Sequence, residues 1–392
     1  MQLRRVVWAA VAIGVLGCEQ AKPGRIGVIT AITGSQQAFG QAHERGFDIA
    51  LEEINAAGGV LGKPLEIVKY DDQSKPDIAA QGVAKLVDQD KVSALIGSYS
   101  SESTKSIVPL VARRGVPLLM PTATADNVLD NTEGWSFRLC SGATDYANAI
   151  VAFFKDVGLP KSIAIIYENT NFGQANGAAM KKAATAAGIP LVSDESYTAK
   201  SPSYTAMLQK VKEKNPDAIY FASYLLDATA LMHQARQVDL NPRFYTAAGT
   251  GFSTAEFPTE EKGAGKDAEY TISVTQWAPE SKWPGSKEFT EKFKAKYGSI
   301  PAYHAVQAYT ALKVMAEAVK KAGKWDGAAI RDALKAIDMP DTTFGPVKFD
   351  ARGQNLHPVL VTQVQKGKYQ IIHPKSEATA DAIVPTPGWA GR

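Results

Sequence analysis

From Arg25 onward, short runs rich in β-branched residues alternate with stretches whose apolar positions recur every three or four residues. Residues 25–31 have the length and composition of a buried strand. The stretch 41–57 then places Phe47, Ala50, Leu51 and Ile54 on one helical face, and Gly58-Gly59 stops it. A strand at 65–70 follows, then a helix carrying Ala79, Val83, Leu86 and Val87, a strand at 92–97, a helix near 102–114 and a strand at 117–120. Such a βαβα series builds a parallel sheet covered by helices, because each crossover lays a helix on the sheet face.

The pattern restarts after Asp145. Tyr146, Ile150, Phe153, Phe154 and Val157 line a helix leading into a strand at 162–167. A helix at 173–187, a strand at 191–197, a helix at 204–214, a strand at 218–222, a helix at 228–238 and a strand at 243–246 complete a second unit of the same architecture. No sequence repeat relates the halves. Beyond Tyr270 come one strand, helices near 287–297, 304–322 and 327–337, and a hairpin of 359–365 with 369–372 about Gly367. Residues 374–392, rich in Ala, Thr and Pro, read as a loosely ordered tail.

The first residues read as an address. Arg4 and Arg5 precede an apolar stretch over 6–16 that ends at Gly17-Cys18. It is shorter than the roughly 20 residues a membrane span needs, which favours an export signal over a permanent membrane helix. With Cys18 set aside, only Cys140 remains for an internal disulfide, and in the apolar run Phe137-Arg138-Leu139-Cys140 it reads as a buried, inert thiol. The chain has 392 residues, enough for two domains, and Lys+Arg 43 nearly balance Asp+Glu 40. No basic run points to nucleic acid.

Catalytic signatures are missing from the sequence. It has no Walker A loop, no HExxH and no GxGxxG after the first strand, and Gly97-Ser98-Tyr99-Ser100-Ser101 lacks the second glycine of a nucleophile elbow. His43, His233, His304, His357 and His373 lack metal-ligand spacing, and Asp71-Asp72 reads as a solvated or structural pair, so neither a metal nor another cofactor is expected. In open parallel sheets, ligands sit beyond the carboxyl ends of the strands, near helix N-termini that favour an anion. The loops to search are therefore Ser98-Tyr99-Ser100-Ser101 and Pro121-Thr122-Ala123-Thr124, whose small and hydroxyl residues let N–H groups approach a carboxylate or simply cap helices. The loops 36–40, 169–173 and 223–227 add Phe39, Phe172 and Tyr224, each either core or site.

Arg25-Ile26-Gly27-Val28, the loop 34–40, the segment from Glu53 to Gly62, Tyr70-Asp71-Asp72 and Ile96-Gly97-Ser98 resemble the periplasmic leucine/isoleucine/valine-binding protein family over nearly all of 25–373. The resemblance implies an α/β fold of two Rossmann-like lobes joined by three crossovers, closing on its ligand like a hinge. On it, 25–144 with 273–350 form the N-terminal lobe and 145–272 with 351–373 the C-terminal lobe, after a signal peptide at 1–17 and an anchor linker at 18–24. It also implies a monomeric extracytoplasmic receptor, in the periplasm or at the cell surface, that hands an amino acid, of branched-chain type first, to an ABC permease; a receptor for a small carboxylate or amide lacking an α-amino group, or a sensory receptor, is the alternative. Ser101 matches the serine that holds the ligand carboxylate, and Thr122 and Thr124 match positions touching carboxylate and ammonium. Phe39, Phe172 and Tyr224 match aromatic positions around the ligand; Ser100 and Ala123 complete the two loops. Val15-Leu16-Gly17-Cys18 resembles a lipobox, which implies a lipid on Cys18 and anchoring to a membrane. One position departs from the pattern: an acid that would pair the ligand ammonium is replaced by Ala248, which leaves Asp227 or Asp145 as substitutes.

Overall fold

The computed structural model describes residues 24–392; the export segment and Cys18 lie outside the described residues. The N-terminal lobe opens with β1 (Gly24–Thr30), α1 (Gln37–Ala56), β2 (Leu65–Asp71), α2 (Pro76–Ala84), β3 (Leu95–Gly97), α3 (Ser101–Arg114), β4 (Leu118–Met120) and β5 (Ser136–Arg138). Its sheet is parallel in the order β2-β1-β3-β4-β5. The chain then crosses to the C-terminal lobe through α4 (Ala143–Val157), β6 (Ile163–Glu168), α5 (Asn171–Ala186), β7 (Leu191–Tyr197), α6 (Thr205–Glu213), β8 (Ala218–Ala222), α7 (Leu225–Gln237), β9 (Phe244–Ala247) and β10 (Ile272–Thr275). It returns to the first lobe with α8 (Ser286–Tyr297), α9 (Tyr303–Ala322), α10 (Gly327–Lys335) and the ribbon β11 (Asp338–Met339) with β12 (Val347–Lys348). The hairpin β13 (Leu360–Gln365) and β14 (Lys368–His373) closes the second sheet, ordered β14-β13-β10-β9-β8-β6-β7.

The central strands of both sheets are buried on two faces, which is why they read as apolar runs rather than alternations. Every residue of β1 except Arg25 is buried. In the first lobe Ile26, Val28 and Ile96 meet Phe47, Leu312 and Met315 from α1 and α9. Those two helices approach closely at Gly46, where a β-carbon would lie 2.0 Å from the Ala305 carbonyl oxygen. In the second lobe Ile163 and Ile165 pack against Phe153 and Phe154 of α4, and Ile166 and Phe221 against Leu231 of α7.

The architecture expected from the sequence is present, with four differences. Ser136–Arg138 is an additional strand, hidden because two of its three residues are polar. The ribbon of β11 with β12 is likewise additional. The expected lobe boundary at 272/273 moves beyond Thr275, because β10 pairs with β9 and β13 inside the second sheet. The tail 374–392, expected to be loose, lies along the C-terminal lobe: Gln363 bonds both backbone groups of Ile383, the Thr386 N–H donates to the Arg243 carbonyl, and Trp389 Nε1 donates to Leu240. Its Ala, Thr and Pro content describes an irregular backbone, and these bonds nevertheless hold it.

Candidate functional site

The N-terminal-lobe wall of the cleft is built where β3 and β4 end. Gly97 takes φ 131° with its β-carbon position 2.0 Å from the Ile29 carbonyl oxygen, so only glycine fits where the chain turns into the 98–101 loop. Asp72 is buried and accepts the Ser98 hydroxyl and the Ser74 N–H, so of the Asp71-Asp72 pair this one braces the loop. Ser100 is the N-cap of α3, accepting from the Ser103 N–H at 3.1 Å. Ser101 therefore stands at the first helical position, where free N–H groups and the helix dipole favour an anion. Its hydroxyl accepts from the Ala125 N–H at 3.1 Å, tying the two candidate loops together.

The 122–125 loop is held from behind. The buried Arg138 guanidinium donates from Nη1 to the carbonyls of Ala123, Thr124 and Ala125 at 3.4, 3.2 and 2.9 Å. Thr122 spends its hydroxyl on the Tyr99 carbonyl. The Thr124 hydroxyl, by contrast, is buried with no partner among the described residues. A buried hydroxyl left unpaired costs about 1–3 kcal/mol, so a ligand atom that bonded it would bind with that advantage. Cys140 lies behind the loop, and burial pushes its thiol up to about 12, the state of an inert side chain.

Rings dominate the opposite wall. Phe172 at the start of α5 and Tyr224 at the N-terminus of α7 stack with centroids 4.9 Å apart. Tyr224 reaches across to Phe39 at 6.0 Å and Tyr99 at 6.1 Å, and the Ser101 N–H faces its hydroxyl. Beneath these rings Glu168 is 0% exposed, accepting from the Thr170 hydroxyl at 2.7 Å and the Tyr224 N–H at 3.1 Å. Burial pushes its carboxyl up to about 8 despite those two donors. Glu168 and Asp227, with Gln36, Ser74 and Glu102 from the other lobe, line a cavity of about 170 Å³ that spans the cleft.

Neither expected substitute for the missing acid is free. Asp145 accepts the Gly142 N–H in the cap of α4, and both Asp227 oxygens accept the Lys200 N–H at 3.0 Å. Ala248 itself is fully buried among apolar residues of the second lobe.

Three chain segments cross between the lobes, at 139–142, 276–285 and 350–359, and they are bonded to one another. Gln276 accepts the Ser141 N–H at 2.7 Å, Ser141 donates to the His357 carbonyl, and Gln354 donates to the Cys140 carbonyl. Two lobes on largely parallel sheets, hydroxyls at a helix N-terminus, rings from both sides and three tied crossovers between them form a clamp-shaped cleft.

Comparison with known proteins agrees with this geometry. The family described as Periplasmic binding protein matches residues 23–368. The chain belongs to this family. Among its curated relatives, the Leu/Ile/Val-binding protein homolog 7 of Brucella suis biovar 1 (strain 1330) is 29% identical over 378 residues, covering 92% of this chain and 94% of the relative. The leucine-binding protein LivK of Thermotoga maritima MSB8 superimposes with a TM-score of 0.82 at 26% identity, covering 89% of this chain and 97% of that one. LivJ of Streptococcus pneumoniae, solved with isoleucine, gives 0.82 at 26% identity, covering 93% and 100%. Of the eight expected site residues, Ser100, Thr122, Ala123, Thr124 and Tyr224 lie in loops, and Phe39, Ser101 and Phe172 lie in the first turns of α1, α3 and α5.

Sequence reasoning passed over Tyr99, Glu168, Tyr303 and His304 as site candidates. Tyr99 stacks on Phe39 at 4.4 Å, and Tyr303 and His304 open α9 beside it. Tyr99 sat in a loop chosen for its serines, and its ring was the available signal. Glu168 ends a strand, where local pattern gives no sign of its burial, and His304 had no spacing to single it out.

Proposed function

We propose that this chain is the extracytoplasmic solute-binding receptor of an ABC importer, tethered by lipid on Cys18, which captures an amino acid in the inter-lobe cleft and delivers it to the permease as a monomer. The observation that carries this reading is the buried, unpaired Thr124 hydroxyl, in the loop that Ala125 ties to Ser101 at the start of α3. In it, Ser101 and Thr124 take the ligand carboxylate, with the Ser100 and Ala123 backbone beside them. Thr122 holds the Tyr99 backbone in place, and Phe39, Phe172 and Tyr224 enclose the remainder. Ligand bonded to both walls stabilises the closed arrangement, which is population shift by differential contact. More than one acyl chain on Cys18 would give stable anchoring. A branched-chain amino acid is the first ligand to test, given the names its relatives carry.

A second reading is favoured by Ala248. With an alanine where an acid would pair an ammonium, a carboxylate or amide lacking the amino group also fits. The test uses the chain from Glu19, unfolded and refolded to strip carried-over solute, and melted against amino acids and their deaminated counterparts. Ligand at 100 times its Kd adds about 2.7 kcal/mol, read as a melting shift of a few degrees. Shifts with amino acids support the first reading, shifts only with deaminated acids or amides the second, and turnover of any of them overturns a binding role.

A further inference from the structure

Behind the Phe39–Tyr99 stack the wall is polar where an aliphatic ligand tail would need it dry. His43 on α1 and His304 at the start of α9 are 0% and 2% exposed. The Tyr99 ring lies 5.6 Å from each, centroid to centroid, and His304 also stands edge-on to Phe39 at 5.1 Å. His43 Nδ1 is bonded to the Thr30 hydroxyl at 3.1 Å, whereas His43 Nε2 and His304 Nδ1 have no partner among the described residues.

The same holds deeper along α9. Gln307 and Thr310 follow His304 at spacings of three, on one helical face, both buried, and both amide atoms of Gln307 and the Thr310 hydroxyl are unpartnered among the described residues. Native proteins pair nearly all buried polar atoms, so a row of five unpaired ones calls for occupants. Burial pulls the His43 imidazole down to about 3, and burial together with His43 holds His304 well below its ordinary value. Both rings are therefore neutral, each with one donor and one acceptor nitrogen. Neither ring is bonded to a carboxylate or to a Lys or Arg among the described residues, so the chemistry suits a neutral polar group rather than an ion.

We propose that His304, backed by His43, is the far end of the ligand pocket and receives a neutral hydrogen-bonding group, an amide or hydroxyl, at the ligand tail. This rests on the reading of Ser101 and Thr124 as the carboxylate site. A ligand whose head lies there runs its tail along Phe39 and Tyr99, the rings that His304 flanks. Placing an aliphatic tail there leaves the imidazole nitrogens unpaired, whereas an amide or hydroxyl can accept from one ring and donate to another.

Calorimetric titration with near-isosteric pairs tests it: leucine with asparagine, methionine with glutamine, phenylalanine with tyrosine, and 3-phenylpropanoate with 3-(4-hydroxyphenyl)propanoate. The expected result is that the polar member of at least one pair binds about tenfold more tightly or better, the difference that one hydrogen bond supplies. His304→Leu removes that preference while leaving the apolar member within about threefold, and His304→Gln, which keeps a donor and an acceptor, retains it. Tighter binding of the apolar member in every pair, with ratios unchanged in a folded His304→Leu or His304→Gln protein, overturns the inference and leaves the carboxylate site standing. Binding of no member of any pair overturns both.

Discussion

The two walls of the cleft are made from the same kind of loop, strand end into helix start, yet they carry different chemistry. On the N-terminal lobe the loops after β3 and β4 offer hydroxyls and a helix N-terminus, stiffened by the buried Arg138 and Asp72, beside the stacked rings of Phe39 and Tyr99. On the C-terminal lobe the loops after β6 and β8 offer rings, with an acid buried beneath them. The first wall is thus preorganised for a charged head group, and the second contributes area and closure. Preorganised donors need little further ordering when the ligand arrives, whereas area counts only once the lobes meet.

The largest effect expected from this division is on the first wall. Ser101→Ala with Thr124→Ala removes two hydrogen bonds to a charged group, about 1.5–3 kcal/mol each, so titration should show affinity falling by a hundredfold or more. Melting of the unliganded protein should fall by a few degrees, because Ser101→Ala also leaves the buried Ala125 N–H without its acceptor. On the second wall Tyr224→Phe, which keeps the ring and loses the hydroxyl facing Ser101, should cost roughly tenfold. A larger loss from Tyr224→Phe than from the double variant would reverse the assignment of head group and lid.

A smaller effect sharpens the comparison through pH. The Glu168 carboxyl is raised from 4.5 to about 8 by burial. Between those values the unfolded chain is ionised while the folded one keeps its proton, so stability is greatest below the lower value and falls as pH rises toward 8. One proton amounts to about 1.4 kcal/mol per pH unit, or some 2.7 kcal/mol between pH 5 and pH 7. Comparing Glu168→Gln with the parent by urea unfolding isolates this slope, because glutamine has no proton to lose. Equal slopes in the two proteins would mean that Glu168 is ionised in the fold, and the second wall would then carry a buried negative charge able to pair a ligand ammonium.

The sequence made the scaffold legible because two-sided burial leaves apolar strands and 3.6-residue helical faces that local pattern exposes, as in β8, found at its full span of Ala218–Ala222. Its site residues were legible only as loops. That Ser100 caps, that Thr122 is spent on Tyr99 and that the Thr124 hydroxyl stays unpaired are consequences of tertiary contact. The same holds for His43 and His304, which are 261 positions apart in the chain and meet only because α1 packs on α9. β5 escaped notice because two of its three residues, Ser136 and Arg138, are polar, whereas the equally short β3 and β4 end apolar runs.

The smallest expected effect concerns what joins the walls. Asn127 and Asn171, one on each lobe, exchange two amide hydrogen bonds of 2.9 Å, and the Asn171 N–H donates to the Glu102 carboxylate at 3.1 Å. None of these atoms belongs to the proposed carboxylate site, so the pair acts on closure alone. Asn171→Ala removes the amide exchange and keeps the backbone donor, which should weaken closure by about 0.5–1.5 kcal/mol, a two- to tenfold loss of affinity. Because the open cleft is unchanged, stopped-flow measurement should show the loss in ligand release, with the association rate held within about twofold. Loss confined to association would mean that the amide pair guides ligand entry, and the lid role assigned to the C-terminal wall would pass to its rings alone.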